Sequence, residues 1–210
     1  MNKLYLQLSL IIIISASPLA CYQDGGEILL PILTPTRTNI EALRLTTIGD
    51  FGLIRQAREG IPAHYHTGID IQRPGENYWS EPVFSIAHGV VISIRNDGPF
   101  AQIIIEHTDP SGMLFWSVYE HISGIVVEYG QSVHSLEPIA RFMNRDELNL
   151  YGWQFDHFHL EIMRIPPYKL KPVEPHPDRH YTTYALTCFS EEELYKRYFN
   201  PIDFFIQFMK

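Results

Sequence analysis

The chain has 210 residues, with 24 Asp and Glu against 16 Lys and Arg, and a formal net charge of −8. A protein this acidic lacks the basic face that phosphate backbones need, which excludes nucleic acid as a partner and simple electrostatic adhesion to anionic polymers. The length suits one domain with a sizeable core, and the sequence shows no internal repeat or low-complexity segment.

Residues 1–20 read as a secretory signal rather than as part of the fold. Lys3 precedes the apolar run Leu4–Ile14, too short for a comfortable membrane span, and small residues follow. Export is therefore expected, to the periplasm or cell envelope or into the medium, and loss of Lys3 takes the charge to −9. Cys21 follows Leu19-Ala20, so a lipidated Cys21 is the one route to membrane attachment that the sequence offers. Pro18 stands where a lipobox carries an aliphatic residue, and ordinary cleavage near Ala20 is the alternative. An oxidising compartment permits a bridge between Cys21 and Cys188, whereas lipidation leaves Cys188 alone and buried.

Residues 21–48 form a lead-in with Pro31, Pro35 and scattered Thr, and a short helix is expected over Asn39–Leu45. From Gly49 the pattern turns to β structure, expected to run as one domain to residue 205. In His64-Tyr65-His66-Thr67-Gly68-Ile69-Asp70-Ile71 the β-branched residues favour extended chain. Even spacing then puts His66 and Asp70 on one face, with Gly68 leaving the gap between them open. Val83–Ile86 and Val90–Ile94 are β-rich runs around Gly89, and Asn96-Asp97-Gly98-Pro99 turns the chain into a strand at Ala101–Glu106. Asp109-Pro110-Ser111-Gly112 turns it again into Met113–His121. Shorter strands are expected at Ile125–Val127 and Ile139–Phe142.

The strand Phe155–Ile162 sets Phe158, Leu160 and Ile162 on one face and His157, His159 and Glu161 on the other. After it, Ser190-Glu191-Glu192-Glu193 reads as a capping box opening a helix through about Tyr198. Asn200-Pro201 starts a second helical piece carrying Phe204, Phe205 and Phe208, and residues 206–210 form a tail. The fold class is mainly β: one antiparallel sheet with a short C-terminal helical segment.

Two residues along a strand rise about 6.6 Å, so the imidazoles of His157 and His159 stand side by side. One can bind a metal while the other reaches a group bound to it. Neutral imidazole with carboxylate is ligand chemistry for zinc, and three protein ligands plus an open position make the catalytic arrangement. His66, Asp70 and one histidine of the later strand form such a set, with His64 a rival for the place of His66. His88, His107, His134, His176 and His180 are expected to be solvated or turn residues.

Taken together these segments resemble the lysostaphin-like (LytM-type) zinc metallopeptidases, which cut peptide bonds in bacterial peptidoglycan. His66-Thr67-Gly68-Ile69-Asp70 resembles their His-x-Gly-x-Asp element. Tyr119-Glu120-His121-Ile122-Ser123 resembles Tyr-Ala-His-Leu-Ser, and His157-Phe158-His159-Leu160-Glu161-Ile162 resembles His-Leu-His-Phe-Glu-Ile. Weaker likenesses at Gly49–Gly52, Ser85–Val91, Gly130–Val133 and Asn200–Phe205 fall in the right order, so the resemblance spans residues 49–205. It implies a LytM/duplicated-hybrid-motif-like sheet and one Zn2+ held by His66, Asp70 and His159. It further implies catalytic roles for His121 and His157 and peptidoglycan as substrate, and it names no protein partner.

Glu161 shares the His face and is placed either to orient a ligand or to lie solvated at a strand end. Three departures from the family pattern stand out. Asp156 replaces a Pro before His157, and Asn149–Phe155 replaces a Gly-x-[Ser/Thr]-Gly-Pro run that lines the substrate groove. Residues 165–187, with Pro166, Pro167, Pro172, Pro175 and Pro177, are an insertion expected to form a surface loop. The sequence has no His-Glu-x-x-His helix to supply a glutamate base. The rival reading is a non-catalytic wall-binding or regulatory module that controls another cell-wall hydrolase. Such modules commonly lose metal ligands, whereas all three ligands and both accessory histidines stand here.

Overall fold

In the computed structural model, which describes residues 27–209, β structure dominates. The proposed signal and Cys21 lie outside these residues. The strands are β1 (Ile54–Arg55), β2 (His64–Tyr65), β3 (Ile69–Gln72), β4 (Pro82–Phe84), β5 (Gly89–Arg95), β6 (Gln102–Thr108) and β7 (Leu114–Glu120). They continue as β8 (Ile122–Ser123), β9 (Ser132–Val133), β10 (Pro138–Phe142), β11 (His157–Met163), β12 (Tyr168–Lys169), β13 (Tyr181–Thr182) and β14 (Tyr198–Phe199). Three short α-helices complete the described chain: α1 (Arg145–Tyr151), α2 (Glu191–Arg197) and α3 (Pro201–Phe208).

The principal sheet runs β14-β11-β7-β6-β5-β9, with β3 also paired to β11. Its pairings are antiparallel, as hairpins of alternating apolar strands dictate. A three-stranded sheet, β4-β10-β8, lies apart from it, and β1-β2 and β12-β13 form two-stranded ribbons. The main core lies on one face of the principal sheet and includes Ile69, Ile71, Ile103, Ile105, Tyr119, Phe158, Leu160 and Ile162 with Phe204 and Phe205 of α3. The other face is covered as well: Ile104, Trp116, Val118 and Met163 pack with Cys188, Leu194 and Tyr198. Burial on both faces explains why Ile103-Ile104-Ile105 is a continuous apolar run rather than an alternating one.

Packed structure begins well before Gly49. Ile28, Leu30 and Ile32 are buried in the main core, and Ile32 bridges to Val83. Arg37 clasps this segment: its guanidinium donates to the carbonyls of Leu30 and Ser135, and burial pushes its pKa down to about 10. The expected helix at Asn39–Leu45 is a single 3-10 turn, Ile40–Ala42, capped by the Asn39 side chain. Ile125–Val127 forms no strand, although Val127 is buried. At the C-terminal end Ser190 caps α2 by accepting from Glu193 N–H, but the expected capping box is only half formed, because the Glu193 carboxylate accepts from Phe189 N–H instead. Asn200 caps α3, which continues through Phe208, whose ring packs 4.7 Å from that of Phe204.

The Pro-rich segment 165–187 folds back over the sheet. Ile94 donates its backbone N–H to Asp178 O at 2.9 Å, and Ser93 Oγ and Tyr181 exchange two hydrogen bonds of 3.1 Å. The segment then returns to the mouth of the groove described below, where Ala185 and Leu186 form part of the wall.

His107 departs from its expected place. It is buried on β6, donating from Nδ1 to His88 O and accepting at Nε2 from Ser117 Oγ. Both nitrogens are committed to the neutral form, and burial pushes its pKa from 6.5 down to about 4. The unfolded chain takes up a proton that the fold refuses, so stability is full above about pH 6.5 and falls as pH drops towards 4, by about 3 kcal/mol. Urea denaturation is expected to show wild type losing that much more stability than His107→Gln between pH 7 and pH 4. Parallel pH profiles would refute it.

Candidate metal centre

The site is assembled where β3, β7 and the first half of β11 meet. His159 sits in register between Asp70 of β3 and Glu120 of β7. His66 lies just past β2 rather than in one continuous strand with Asp70. It is held by the turn above it: Gly52 N–H donates to His66 O at 2.8 Å, and His66 N–H donates to Leu53 O at 2.8 Å. The same turn grips Asp70, whose N–H donates to Gly49 O at 2.9 Å.

Gly68 has a stricter role than leaving a gap. A Cβ there would lie 2.2 Å from Leu160 O and 2.9 Å from the His159 ring. Only glycine lets this backbone approach β11 closely enough to bring His66 to His159. Gly68→Ala is expected to cost about 3 kcal/mol or more. Chemical denaturation checks this, and an unchanged midpoint would refute it.

Three ligand-type atoms converge. His66 Nε2 lies 2.9 Å from His159 Nδ1 and 3.0 Å from Asp70 Oδ1, and His159 Nδ1 lies 2.9 Å from Asp70 Oδ1. All three residues are buried. Ligands of a tetrahedral zinc, about 2.0–2.1 Å from the ion, stand roughly 3.3 Å apart, so the triangle is only slightly tighter than a zinc face.

The surrounding partners decide what these atoms offer. His66 Nδ1 donates to Asp50 O at 2.8 Å, which leaves Nε2 a bare lone pair in the neutral ring. His159 Nε2 donates to Glu161 Oε1 at 3.3 Å, so loss of the other ring proton puts the lone pair on Nδ1. Glu161 is 1% exposed and also accepts from Thr67 Oγ, so it is a buried positioning group, not a solvated strand-end acid. With both rings neutral, two imidazole lone pairs and a carboxylate oxygen share one point, a donor set that fits a divalent cation.

Electrostatics agree. Burial opposes charging of His159, yet hydrogen bonds to Asp70 and Glu161 overcome it and raise its pKa to about 10. Burial likewise opposes ionisation of Asp70, and its two histidine partners outweigh it, holding the carboxyl well below the usual range. Burial lowers the pKa of His66. The two carboxylates thus draw positive charge to this spot, and a divalent ion meets the same demand with release of protons.

Two further imidazoles flank the triangle. His157 Nε2 lies 3.8 Å from Asp70 Oδ1, and its ring lies 5.3 Å from that of His121. His121 follows the last residue of β7, where strand alternation would send its side chain towards the core with Tyr119. A positive φ of 63° breaks the alternation and turns the imidazole into the groove beside Phe155 and His157. His is among the few residue types that tolerate this backbone region. His121 Nδ1 donates to Pro99 O at 2.5 Å, leaving Nε2 free. Burial lowers the pKa of both rings, to about 4 for His157, so both are neutral bases near pH 7.

All five residues line one groove of about 480 Å3, in which His64 is also present. His64 is tied to Pro62 O and stands outside the triangle, so His66 keeps the ligand position. Asp156, which stands before His157, is clamped by Arg73 at 2.8 Å and accepts from Tyr78 OH at 3.3 Å. Among the groove residues that the sequence did not point to is Arg55, whose Nη2 donates to Asp70 Oδ2 at 2.6 Å and fixes the carboxylate's second oxygen.

A mainly β domain that gathers two histidines and an aspartate at one point, with two more histidines beside them, agrees with the resemblance to the lysostaphin-like (LytM-type) family. Residues 64–175, more than half of the chain, match the model of Peptidase family M23, and the chain belongs to that family. No curated protein matches it. Among solved structures it is similar to one described as a SpoIIIAH and SpoIIQ complex, at 19% identity over 66% of this chain and 92% of that one, with a TM-score of 0.44. A zinc-containing peptidase from Vibrio cholerae matches at 24% identity over 65% of this chain and 37% of that one, TM-score 0.43. The catalytic domain of lysostaphin from Staphylococcus simulans matches at 16% identity over 80% of this chain and 95% of that one, TM-score 0.45.

Proposed function

We propose that this protein is an exported zinc endopeptidase that hydrolyses peptide bonds of bacterial peptidoglycan, in the stem peptide or the cross-bridge. The observation that carries the reading is the triangle of His66 Nε2, Asp70 Oδ1 and His159 Nδ1, with His121 and His157 beside it in the same groove. His66, Asp70 and His159 would hold one zinc ion. Bound zinc supplies Lewis-acid chemistry, lowering the pKa of water and polarising a scissile carbonyl.

The remaining work falls to the chain's own groups. Arg55 and Glu161 orient Asp70 and His159, and His121 and His157 exchange protons with the reacting groups. In His121 the atom available for this is Nε2, since Nδ1 is tied to Pro99 O. Neutral rings at working pH suit proton acceptance followed by donation to the departing amine. The proposal includes export through residues 1–20 and one catalytic domain with the 165–187 insertion. No helix among the described residues is long and apolar enough to cross a membrane.

Mass spectrometry of purified sacculi after incubation with the zinc-loaded protein tests the reading. New amino termini in the peptide portion are expected. Bound zinc with sacculi and cross-linked fragments left uncut would replace it with the non-catalytic wall-binding module.

A further inference from the structure

Beside the groove lies a second concavity, of about 260 Å3, lined by Glu76, Tyr78, Trp79, Asn144, Arg145 and Asp146. Trp79 is 83% exposed, an unusual placement for the largest apolar side chain. Its loop is built to present it. Asn77 Oδ1 accepts from the N–H groups of Trp79 and Ser80, both at 3.2 Å, and the buried Arg73 donates to Asn77 O at 2.9 Å. Tyr78 is stacked beneath two guanidinium groups, Arg73 at 4.6 Å and Arg145 at 5.2 Å, and its ring meets Trp153 at 5.8 Å. Trp153 heads the 3-10 turn Trp153–Phe155, whose Gln154 and Phe155 line the groove. The concavity therefore adjoins the groove by way of Trp153.

We infer that this concavity is a glycan subsite that seats the N-acetylhexosamine strand of the substrate while the attached peptide occupies the groove. The inference rests on the peptidoglycan reading above. A pyranose ring carries a face of C–H bonds that packs flat on an indole, and an edge of hydroxyls that donate to carboxylates. Trp79 supplies the first surface, Glu76 and Asp146 the second. Charge separates glycan from peptide. The lining holds two carboxylates against one guanidinium already engaged over Tyr78, so it repels a stem peptide with its own carboxylates and accepts a neutral sugar.

Two measurements on the zinc-loaded protein test this. Chitotetraose, a peptide-free chain of four N-acetylglucosamines, is titrated by calorimetry into wild type, Trp79→Ala and Trp79→Tyr. Saturable binding is expected for wild type, weakened about tenfold or more by Trp79→Ala and largely kept by Trp79→Tyr. In parallel, Trp79→Ala is expected to lower kcat/KM on glycan-linked cross-linked fragments about tenfold while leaving the same cross-linked peptides, freed of glycan, cut at the wild-type rate. Absence of chitotetraose binding by wild type would overturn the inference. So would an equal loss on both substrates, which would make the concavity a peptide subsite. Should wild type cut neither fragment, the endopeptidase reading fails, and chitotetraose binding alone still decides the subsite.

Discussion

Asp70→Ala is expected to remove zinc and hydrolysis together. Asp70 contributes Oδ1 to the triangle and is the only acid in it, while Oδ2 anchors Arg55. Without it, two neutral imidazoles face one another with no charge to hold a divalent ion between them, and Arg55 is left beside them as a repelling cation. His159→Ala removes a different corner of the same face and is expected to match it. Turnover on cross-linked fragments is expected to fall by about 10³-fold or more in each variant. Metal analysis of the dialysed protein is expected to show the zinc gone. Either variant keeping stoichiometric zinc would take that residue out of the ligand set.

His121 and His157 are expected to behave differently. Neither belongs to the triangle, so His157→Ala and His121→Asn are expected to keep most of the zinc and to lose about 10²–10⁴-fold in turnover, the usual worth of a positioned acid or base. Asn is chosen at 121 because it tolerates the left-handed backbone there, so that lost activity reports the missing imidazole and not a rearranged turn. Full turnover in His121→Asn would remove His121 from the mechanism.

Much of this site was legible because its members recur at strand spacing. His157 and His159 alternate on one strand, so periodicity alone sets them on one face. His66 and Asp70 were found by their spacing around Gly68 but are brought together by the turn at 49–53 and not by a shared strand. The partners that tune these groups leave no such trace. Arg55 reaches Asp70 across 15 residues, Thr67 reaches Glu161 across 94, and Arg73 reaches Asp156 across 83, each through tertiary packing. The mainly β class followed from turn chemistry at Asp109–Gly112 and from apolar runs, but β propensity alone misplaced Ile125–Val127. Helix α1 was missed, and only its last three residues, from Asn149, fall in the stretch read as a family departure. Its signal was nevertheless present: Asn144 Oδ1 accepts from Glu147 N–H at 2.9 Å and Glu147 Oε2 from Asn144 N–H at 2.7 Å, a reciprocal cap. His107 was misjudged because nothing in a single strand announces that both of its faces are covered.

The strand that carries His157 and His159 has neighbours on both edges, β7 along one and β3 with β14 along the other, and packed side chains above and below. Its amides from Phe158 to Ile162 are therefore expected among the most slowly exchanging, released to deuterium only when the whole domain opens. Loss of the metal-binding geometry on heating is then expected to track global melting and not local fraying of the chain ends.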